Sequence, residues 1–318
     1  MAKILVPLDG SHRAEKALPF AMSLGAELPA EVVLFRAILP PSGRHRTSDQ
    51  KEVESDPWRE RRETRARKDL HSVARRLLAD GATGVGCAVR YGSPADAIVE
   101  YARQAEVQLI IMASRGACRT GRWPKGSVTE KVLRKATVPV LLTCALAPES
   151  SGARLRPHAR ILAPLDGSGR SEQVLAPAAA LAQWLGGELI LCHASCPYLF
   201  ESSTEAAQRI AKSYLERLAA PLKKQGTAVS VAVKAGPVTD TIVKIAQRKN
   251  VDLIAMCPHR RRGVARWLLG SVAGQTLTTG SIPVLLMQDG GGISEDRSES
   301  QSRTYHPSPF SMPAVPSR

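Results

Sequence analysis

The sequence predicts two tandem α/β domains, each a doubly wound parallel sheet of five strands with helices on both faces. Segments of strand character alternate with amphipathic segments through both halves, which is typical of parallel strands joined by helical crossovers. The motif Ile-Leu-Val-Pro-Leu-Asp-Gly-Ser at 4–11 returns as Ile-Leu-Ala-Pro-Leu-Asp-Gly-Ser at 161–168. Runs such as 109–112 and 253–256 are apolar throughout, as expected for strands that helices cover on both faces.

In the first half, strands are predicted at 3–8, 31–38, 86–90, 109–113 and 138–143, and helices at 11–24, 69–78, 95–104 and 128–136. The first helix is predicted because Ala14, Ala17, Leu18, Ala21 and Leu24 recur at helical spacing. Residues 40–68 are polar and charged, so they are predicted as a long loop with helical character from Trp58 onward.

The second half repeats this order. Strands are predicted at 160–165, 188–193, 229–234, 253–257 and 282–287, and helices at 171–185, 205–225, 238–249 and 272–279. Asp9 and Asp166 are 157 residues apart, whereas Gly126 and Gly270 are 144 apart. The first copy therefore carries 13 additional residues, the excess of 157 over 144, and the polar segment 40–68 is where we expect them.

These patterns place the first domain at 1–143 and the second at 160–287. Residues 144–159 are interpreted as a linker. Residues 288–318 are rich in glycine, serine, proline and charge, a composition that favours a disordered tail.

Composition narrows the class of protein. Hydrophobic residues make up 43% of the chain and aromatic residues only 4%, so the cores must be aliphatic. No apolar run reaches the length of a membrane span, and the first residues lack the layout of a signal peptide, so a cytoplasmic protein is expected. The pattern Cys192-His193-x-x-Cys196 would place its ligands on opposite faces of a strand, so neither a metal site nor a disulfide is predicted.

The net charge of +15 indicates an anionic partner: a nucleotide, a nucleic acid or an acidic protein. The basic residues concentrate at the same place in both copies: Arg115, Arg119, Arg122, Lys125, Lys131, Arg134 and Lys135 in one, and Arg260, Arg261, Arg262 and Arg266 in the other. Simple solvation of helix faces is the alternative explanation. Nucleic acid is not favoured, because no recognised module or aromatic–basic interleaving is present.

A candidate binding site follows from the predicted topology. Ligands of open parallel sheets bind beyond the carboxyl ends of the strands, where the strand order reverses. Asp9 ends the first strand, Met112 and Ala113 end the fourth, and Gly126-Ser127 opens the next helix. Ser127 and Glu130 form a capping box, and the unpaired N–H groups of such a helix start suit a phosphate. The alternative is that Gly126-Ser127 only caps the helix.

The spacing Ala113-x-x-Gly116, nine residues, Gly126-Ser127 resembles the nucleotide-binding branch of the universal stress protein (UspA) family. The Pro-Leu-Asp-Gly-Ser opening and the Val-Pro-Val-Leu closing strand are similar to that family as well. The resemblance covers about 3–143 and 160–287. It implies two Rossmann-like domains of the adenine nucleotide alpha hydrolase type and ATP as ligand, with which Mg²⁺ can be bound.

The resemblance also implies roles for single residues. Asp9 would hydrogen-bond adenine. Around it, Pro7 and Leu8 would line the base, Ala37 would lie near the base or ribose, Met112 and Ala113 beside the adenosine, and Gly116, Gly126, Ser127 and Val128 around the phosphates. Ala113 stands where the family has its first glycine. Asp9 also has a purely structural explanation, because Asp-Gly-Ser is a good turn and helix cap.

The second copy departs further from the pattern. Cys257 and Arg260 replace the first two glycines, and Gly274 takes the place of the capping acid. An arginine does not readily reach the positive φ that glycine allows, so poor nucleotide binding is predicted there. The alternative is that Arg260, Arg261 and Arg262 supply charge in place of backbone contacts.

No catalytic set is present: no Ser/His/Asp arrangement, no paired carboxylates and no Walker motif. The sequence therefore predicts a non-catalytic ATP-binding protein of stress response or signalling, with slow ATP hydrolysis left open. The alternative is a nucleotide-free interaction scaffold. The resemblance implies that the last strand of each copy pairs with the other, giving an intramolecular pseudo-dimer. A homodimer and an unidentified protein partner also stay open.

Overall fold

The computed structural model describes residues 2–27, 30–40, 57–114, 128–144, 154–195, 204–257 and 282–287. The strands are β1 (Ala2–Pro7), β2 (Ala30–Ile38), β3 (Val85–Tyr91), β4 (Leu109–Ser114), β5 (Val140–Cys144), β6 (Arg160–Pro164), β7 (Glu188–Ser195), β8 (Ala228–Ala235), β9 (Leu253–Met256) and β10 (Val284–Leu286). The helices are α1 (His12–Glu15), α2 (Leu18–Glu27), α3 (Pro57–Ala79), α4 (Pro94–Gln104), α5 (Val128–Lys135), α6 (Gly169–Glu172), α7 (Leu175–Trp184), α8 (Thr204–Lys224) and α9 (Val238–Arg248).

These strands form one sheet in the order β3-β2-β1-β4-β5-β10-β9-β6-β7-β8. Within each half all pairings are parallel. The first three strands of each half extend the sheet to one side, and the last two extend it to the other side. The strand order therefore reverses between β1 and β4 and between β6 and β9. The predicted doubly wound α/β architecture is therefore confirmed. The two halves join where β5 runs antiparallel to β10, with Leu141 opposite Leu285. This seam is the pairing of last strands that the resemblance implies.

Helices cover both faces of the sheet and bury aliphatic side chains against it. The cluster on one face, called here the α2 layer, includes buried residues of α2, α3, α7 and α8. The cluster on the other face, called here the α4 layer, includes buried residues of α4, α5 and α9. Because strand residues alternate between faces, Val6 and Leu8 belong to the α2 layer, whereas Leu5 belongs to the α4 layer.

The first helix of each copy is broken into two, so the prediction of single continuous helices there is wrong. α1 ends at Glu15 and α2 begins at Leu18, and α6 and α7 are separated in the same way. Pro19 and Pro177 explain the breaks, because a proline has no N–H to donate and its ring clashes with the carbonyl four residues earlier. A proline is tolerated in the first turn of the new helix, which is where both prolines lie.

Helix α3 begins at Pro57, which confirms the helical character predicted from Trp58 onward and joins it to the helix predicted at 69–78; residues 41–56 lie outside the described part of the chain. Ala66 and Leu70 are buried in the first half of the helix and fix it against the sheet. Tyr91, at the end of β3, holds the helix start: its hydroxyl lies 2.8 Å from the Arg59 carbonyl oxygen and 3.1 Å from the Glu63 carboxylate.

The second part of the predicted linker is packed. Leu155 is only 1% exposed, and its backbone N–H donates to Ser23 Oγ of α2 at 3.2 Å. Arg156 pairs with Asp252, which precedes β9, at 2.6 Å. Residues 154–159 are therefore attached to both halves; residues 145–153 lie outside the described residues.

The interior reflects the composition. The largest fully buried side chains are leucine and isoleucine, joined by Phe35. Cys192 and Cys257 are buried and form no disulfide, and burial raises the pKa of Cys192 to about 12. Among the helices that the structure describes, none is both long enough and apolar enough to cross a membrane.

Candidate functional site

The predicted crevice lies between the carboxyl ends of β1 and β4. These two strands are neighbours, with Leu5 opposite Ile110. Extending that register brings Pro7, the last residue of β1, level with Met112 near the end of β4. Since the strand order reverses between β1 and β4, the rule for open parallel sheets predicts a ligand crevice there. The structure thus brings together the two strand ends that the sequence separates by about a hundred residues.

Asp9 follows β1 in a tight turn. Its carboxylate Oδ1 accepts the Ser11 N–H at 2.9 Å, and Gly10 has a φ of +85°, a value that glycine reaches without strain. Ser11 then caps α1, accepting the Ala14 N–H on its Oγ at 3.3 Å. Asp9 itself is exposed. One carboxylate oxygen therefore serves the turn, on the exposed rim of the crevice.

In the equivalent turn of the second copy, side-chain hydroxyls take part in the hydrogen bonds. Asp166 Oδ1 accepts both the N–H of Ser168 at 2.9 Å and its hydroxyl at 2.6 Å. Ser171, where the first copy has Ala14, donates its hydroxyl to the Ser168 carbonyl and lies 3.4 Å from the Asp166 N–H. The structural role of the Asp-Gly-Ser turn is thus common to both copies.

The residues beside the turn differ in how deeply they are buried and in the face of the sheet on which they lie. Leu8 is 4% exposed and packs into the α2 layer, and its N–H donates to the Phe35 carbonyl at 2.8 Å. Its side chain therefore belongs to the core rather than to the crevice surface. Ala37 is half-buried and packs against the α4 layer, of which Met112 is a buried member. Ala113 is half-buried on the opposite face.

Ser114, the last residue of β4, is a site feature that the sequence did not reveal. It is completely buried, and its hydroxyl has no hydrogen-bond partner among the described residues. A buried unsatisfied hydroxyl costs about 1–3 kcal/mol, so a polar partner supplied at this point would be stabilising. The only sequence signal was its position inside Ala113-x-x-Gly116, where it fills a variable place.

Arg36 of β2 is a second feature that sequence reasoning missed. Its guanidinium lies against Gly10, where an added Cβ would stand 3.1 Å from Nη2, and within the described part of the chain its buried Nε has no hydrogen-bond partner. In the second copy His193, offset by 157 residues, holds this position, and its Nδ1 lies 2.8 Å from the Leu165 carbonyl oxygen. The first copy thus has a cation behind its Asp9 turn where the second has an imidazole bonded to the backbone.

Helix α5 begins at Val128, which is 37% exposed. Lys135 at its other end pairs with Asp96 of α4, and this hydrogen bond is the main reason that the pKa of Asp96 lies below its ordinary value. Gly116, Gly126 and Ser127, the predicted phosphate contacts, lie outside the described residues.

In the second copy, Cys257 follows β9 and is 7% exposed. Arg260 and Gly274 lie outside the described residues, as does Cys196. His193 uses Nδ1 toward a backbone carbonyl, and within the described ranges no group of three His, Cys, Asp or Glu side chains could hold a metal ion.

Comparison with known proteins decides the family. The family model described as the universal stress protein family matches residues 1–143 and 158–288, one match for each copy. The chain belongs to the universal stress protein family. It carries the family's domain in tandem.

Individual relatives agree. Universal stress protein Rv2005c of Mycobacterium tuberculosis is 30% identical over 220 residues, which are 65% of this chain and 70% of the relative. Universal stress protein YxiE of Bacillus subtilis is 30% identical over 144 residues, which are 44% of this chain but 97% of the relative. The second of these is therefore similar to a single copy.

A solved structure shows the same fold. The crystal structure of a universal stress protein from Archaeoglobus fulgidus matches with a TM-score of 0.64 at 22% identity, over 90% of this chain and 98% of that one. The α/β architecture of two joined domains is thus shared over nearly the whole of both chains.

Proposed function

We propose that the first copy of this universal stress protein binds an adenine nucleotide, ATP, at the carboxyl ends of β1 and β4. The protein acts without catalysis in stress response or signalling, and occupancy of the site changes its conformation or its choice of partner. The observation that carries the proposal is the adjacency of the Asp9 turn and the Met112–Ser114 strand end at the reversal point of the sheet.

The residues at this edge suit a purine. Half-buried Pro7 and Ala37 give this edge an apolar surface, and Ala37 packs against the α4 layer, of which Met112 is a buried member. The Asp9 carboxylate, exposed on the rim, is an acceptor for the exocyclic amine of adenine. A hydrogen bond to a charged group is worth about 1.5–3 kcal/mol. The site therefore combines an apolar surface with one charged acceptor, as small-ligand sites commonly do.

The phosphates are assigned to the start of α5. Val128 opens this helix, and Gly116, Gly126 and Ser127 complete the proposed loop before it. The partial positive charge of a helix N-terminus favours an anion there. Mg²⁺ can accompany the nucleotide on its phosphates. Ala113 adds one methyl group where the family pattern has glycine, on the face of the sheet opposite Met112.

The second copy is proposed as a poor nucleotide binder and as the built-in partner of the first. Cys257 takes the place that Ala113 holds in the first copy. In its own turn Asp166 accepts the hydroxyl of Ser168 as well as the backbone N–H.

Isothermal titration of the full chain with ATP tests the proposal. We expect one site per chain and a weakening of about ten- to a hundredfold for Asp9→Ala, the loss of one charged hydrogen bond. Gly126→Arg should abolish binding. The matched controls are Asp166→Ala and Gly270→Arg, which make the same changes in the second copy and should leave the affinity unchanged. Unchanged affinity in both first-copy variants would falsify the proposal.

A nucleotide-free scaffold is the second candidate. It is favoured by one observation: the Asp-Gly-Ser turn makes the same Asx and capping bonds in both copies, so the motif has a structural use that needs no ligand. Purified protein without nucleotide in its mass spectrum, and without heat on ATP addition, would favour this candidate. Release of ADP on incubation with ATP would instead contradict the non-catalytic assignment.

A further inference from the structure

Among the residues that the structure describes, the outer edge of the first copy is an open strand. β3 is the terminal strand of the sheet and pairs on one side with β2. The Gly92 N–H donates to the Ile38 carbonyl, and the Gly84 carbonyl accepts the Val32 N–H, so the even-numbered residues of β3 face β2. Because backbone groups alternate along a parallel strand, Val85 and Cys87 direct their N–H and C=O groups outward.

A groove of about 660 Å³ follows this edge between β3 and α3. Its rim carries the cations Lys68 and Arg75, which lie with His71 on one exposed face of α3. Its floor is apolar, formed by Leu78, Val85 and Cys87, and Leu78 is 48% exposed although it is a large aliphatic side chain. We call this surface the β3 groove.

The charge around the β3 groove selects its occupant. Residues 57–91 carry nine arginines and lysines against four aspartates and glutamates. Lys68 and Arg75 are absent from the ion pairs found among the described residues, whereas their neighbours Arg67 and Arg76 pair with Glu63 and Glu15. Two β3 edges from separate copies would bring two basic α3 helices together, and this repulsion disfavours self-pairing.

We propose that the β3 groove binds an extended acidic segment of a partner protein, which adds to the sheet as a strand beside β3. Main-chain hydrogen bonds to the outward groups supply affinity, and alternate side chains supply specificity. The segment places glutamate or aspartate under the rim cations and an aliphatic side chain, two residues on, against the apolar floor. The site is separate from the crevice at Asp9.

The second copy provides an internal comparison. Its own edge strand, β8, also borders a groove with α8, and Lys212 occupies the place of Lys68 at an offset of 144. There the rim is mixed, because Glu205 stands beside Arg209 and Lys212. Strand edges are thus available in both copies, but the uniformly cationic rim belongs to the first.

The test uses the full chain and a fluorescein-labelled peptide, Glu-Thr-Leu-Thr-Glu-Thr-Leu, followed by fluorescence anisotropy. We expect saturable binding. A lysine-for-glutamate version should fail because of its charge, and a version with proline for threonine should fail because it cannot pair with a strand. No saturable binding of the glutamate peptide at concentrations up to about 1 mM, a free energy near −4 kcal/mol, would overturn the proposal.

Variants locate the binding. Lys68→Glu with Arg75→Glu should weaken it by about tenfold, the loss of two exposed ion pairs. The control Lys223→Glu with Lys224→Glu makes the same charge change on exposed residues at the end of α8 and should have no effect. Equal weakening by both pairs would show unspecific attraction and overturn the proposal.

Cys87→Pro tests the strand pairing itself. It removes an outward N–H and leaves the hydrogen bonds to β2 in place. An edge strand tolerates proline at a position whose N–H faces outward. Circular dichroism checks that the variant is folded. Peptide affinity equal to that of the natural chain would exclude strand addition. Two other results would assign the groove to another occupant. One is displacement of the peptide by a single-stranded oligonucleotide that binds more tightly. The other is a dimer in sedimentation that the Lys68→Glu/Arg75→Glu variant abolishes.

Discussion

The seam between β5 and β10 is open to a direct energetic test. Leu141 and Leu285 stand opposite each other across it, at 0% and 2% exposure. Both belong to the α2 layer, so their side chains meet on the same face of the sheet. The perturbation is the double-mutant cycle of Leu141→Ala and Leu285→Ala.

The magnitude follows from this burial. Removing one fully buried leucine side chain costs about 3 kcal/mol of unfolding free energy, from lost transfer and from the cavity left behind. Opposite residues of an antiparallel pair are in contact. After the first substitution the second leucine already faces the cavity and has less packing to lose. We therefore expect the double variant to lose about 5 kcal/mol rather than 6, a coupling of about 1 kcal/mol.

Urea unfolding followed by circular dichroism provides the assay. The matched control is Leu141→Ala combined with Leu215→Ala on α8, an equally buried leucine. α8 packs on β7 and β8, so it lies about four strand spacings, or roughly 19 Å, from β5. At that separation the two effects should add. Coupling below about 0.3 kcal/mol between Leu141 and Leu285 would refute the contact across the seam.

Two further predictions concern single positions. Gly10→Ala and Gly167→Ala should each lower the unfolding free energy by about 1–2 kcal/mol, because both glycines have a positive φ. Gly169→Ala, in open space at the start of α6, should be neutral or stabilising. Thermal unfolding of the three variants tests this, and equal shifts of their melting temperatures would contradict the strain argument. Burial raises the pKa of Cys192 to about 12, so above pH ~8.5 the unfolded chain loses a proton that the folded chain keeps, and the unfolding free energy falls by up to ~1.4 kcal/mol per pH unit. Urea titrations at pH 8, 9 and 10 under reducing conditions should show a shallower fall for Cys192→Ala, and identical slopes would exclude this cause.

The strands could be predicted because their patterns are local. Apolar runs such as 109–112 predict a strand that is buried on both faces. The same run recurs in the second copy, so each strand is predicted twice. The ends of the helices were harder to predict from the sequence. Pro19 and Pro177 carried the signal for the helix breaks, but the apolar spacing around them continues without interruption. The start of α3 depends on Tyr91, which lies 32 residues away from Arg59, and no local pattern records that contact.

The candidate site was predictable to a different degree. The turn at Asp9 and the end of β4 follow from the motif and from the rule for parallel sheets. Ser114 and Arg36 were missed because each has a buried polar atom that lacks a hydrogen-bond partner among the described residues. Burial of this kind depends on the tertiary structure. The side chain of Leu8 was assigned to the base, but alternation along β1 directs it into the α2 layer. The residues of the phosphate loop stay a prediction.

Joining the halves in one chain changes the concentration dependence of the seam. Two separate chains would pair through β5 and β10 only to the extent that their concentration allows, whereas a short tether holds the partner at an effective concentration in the millimolar range. Leu155 shortens that tether by docking beside Ser23 of the first half. Each half therefore keeps its partner at any dilution. The second half is then free to diverge, as at Cys257, because its pairing no longer depends on being identical to the first.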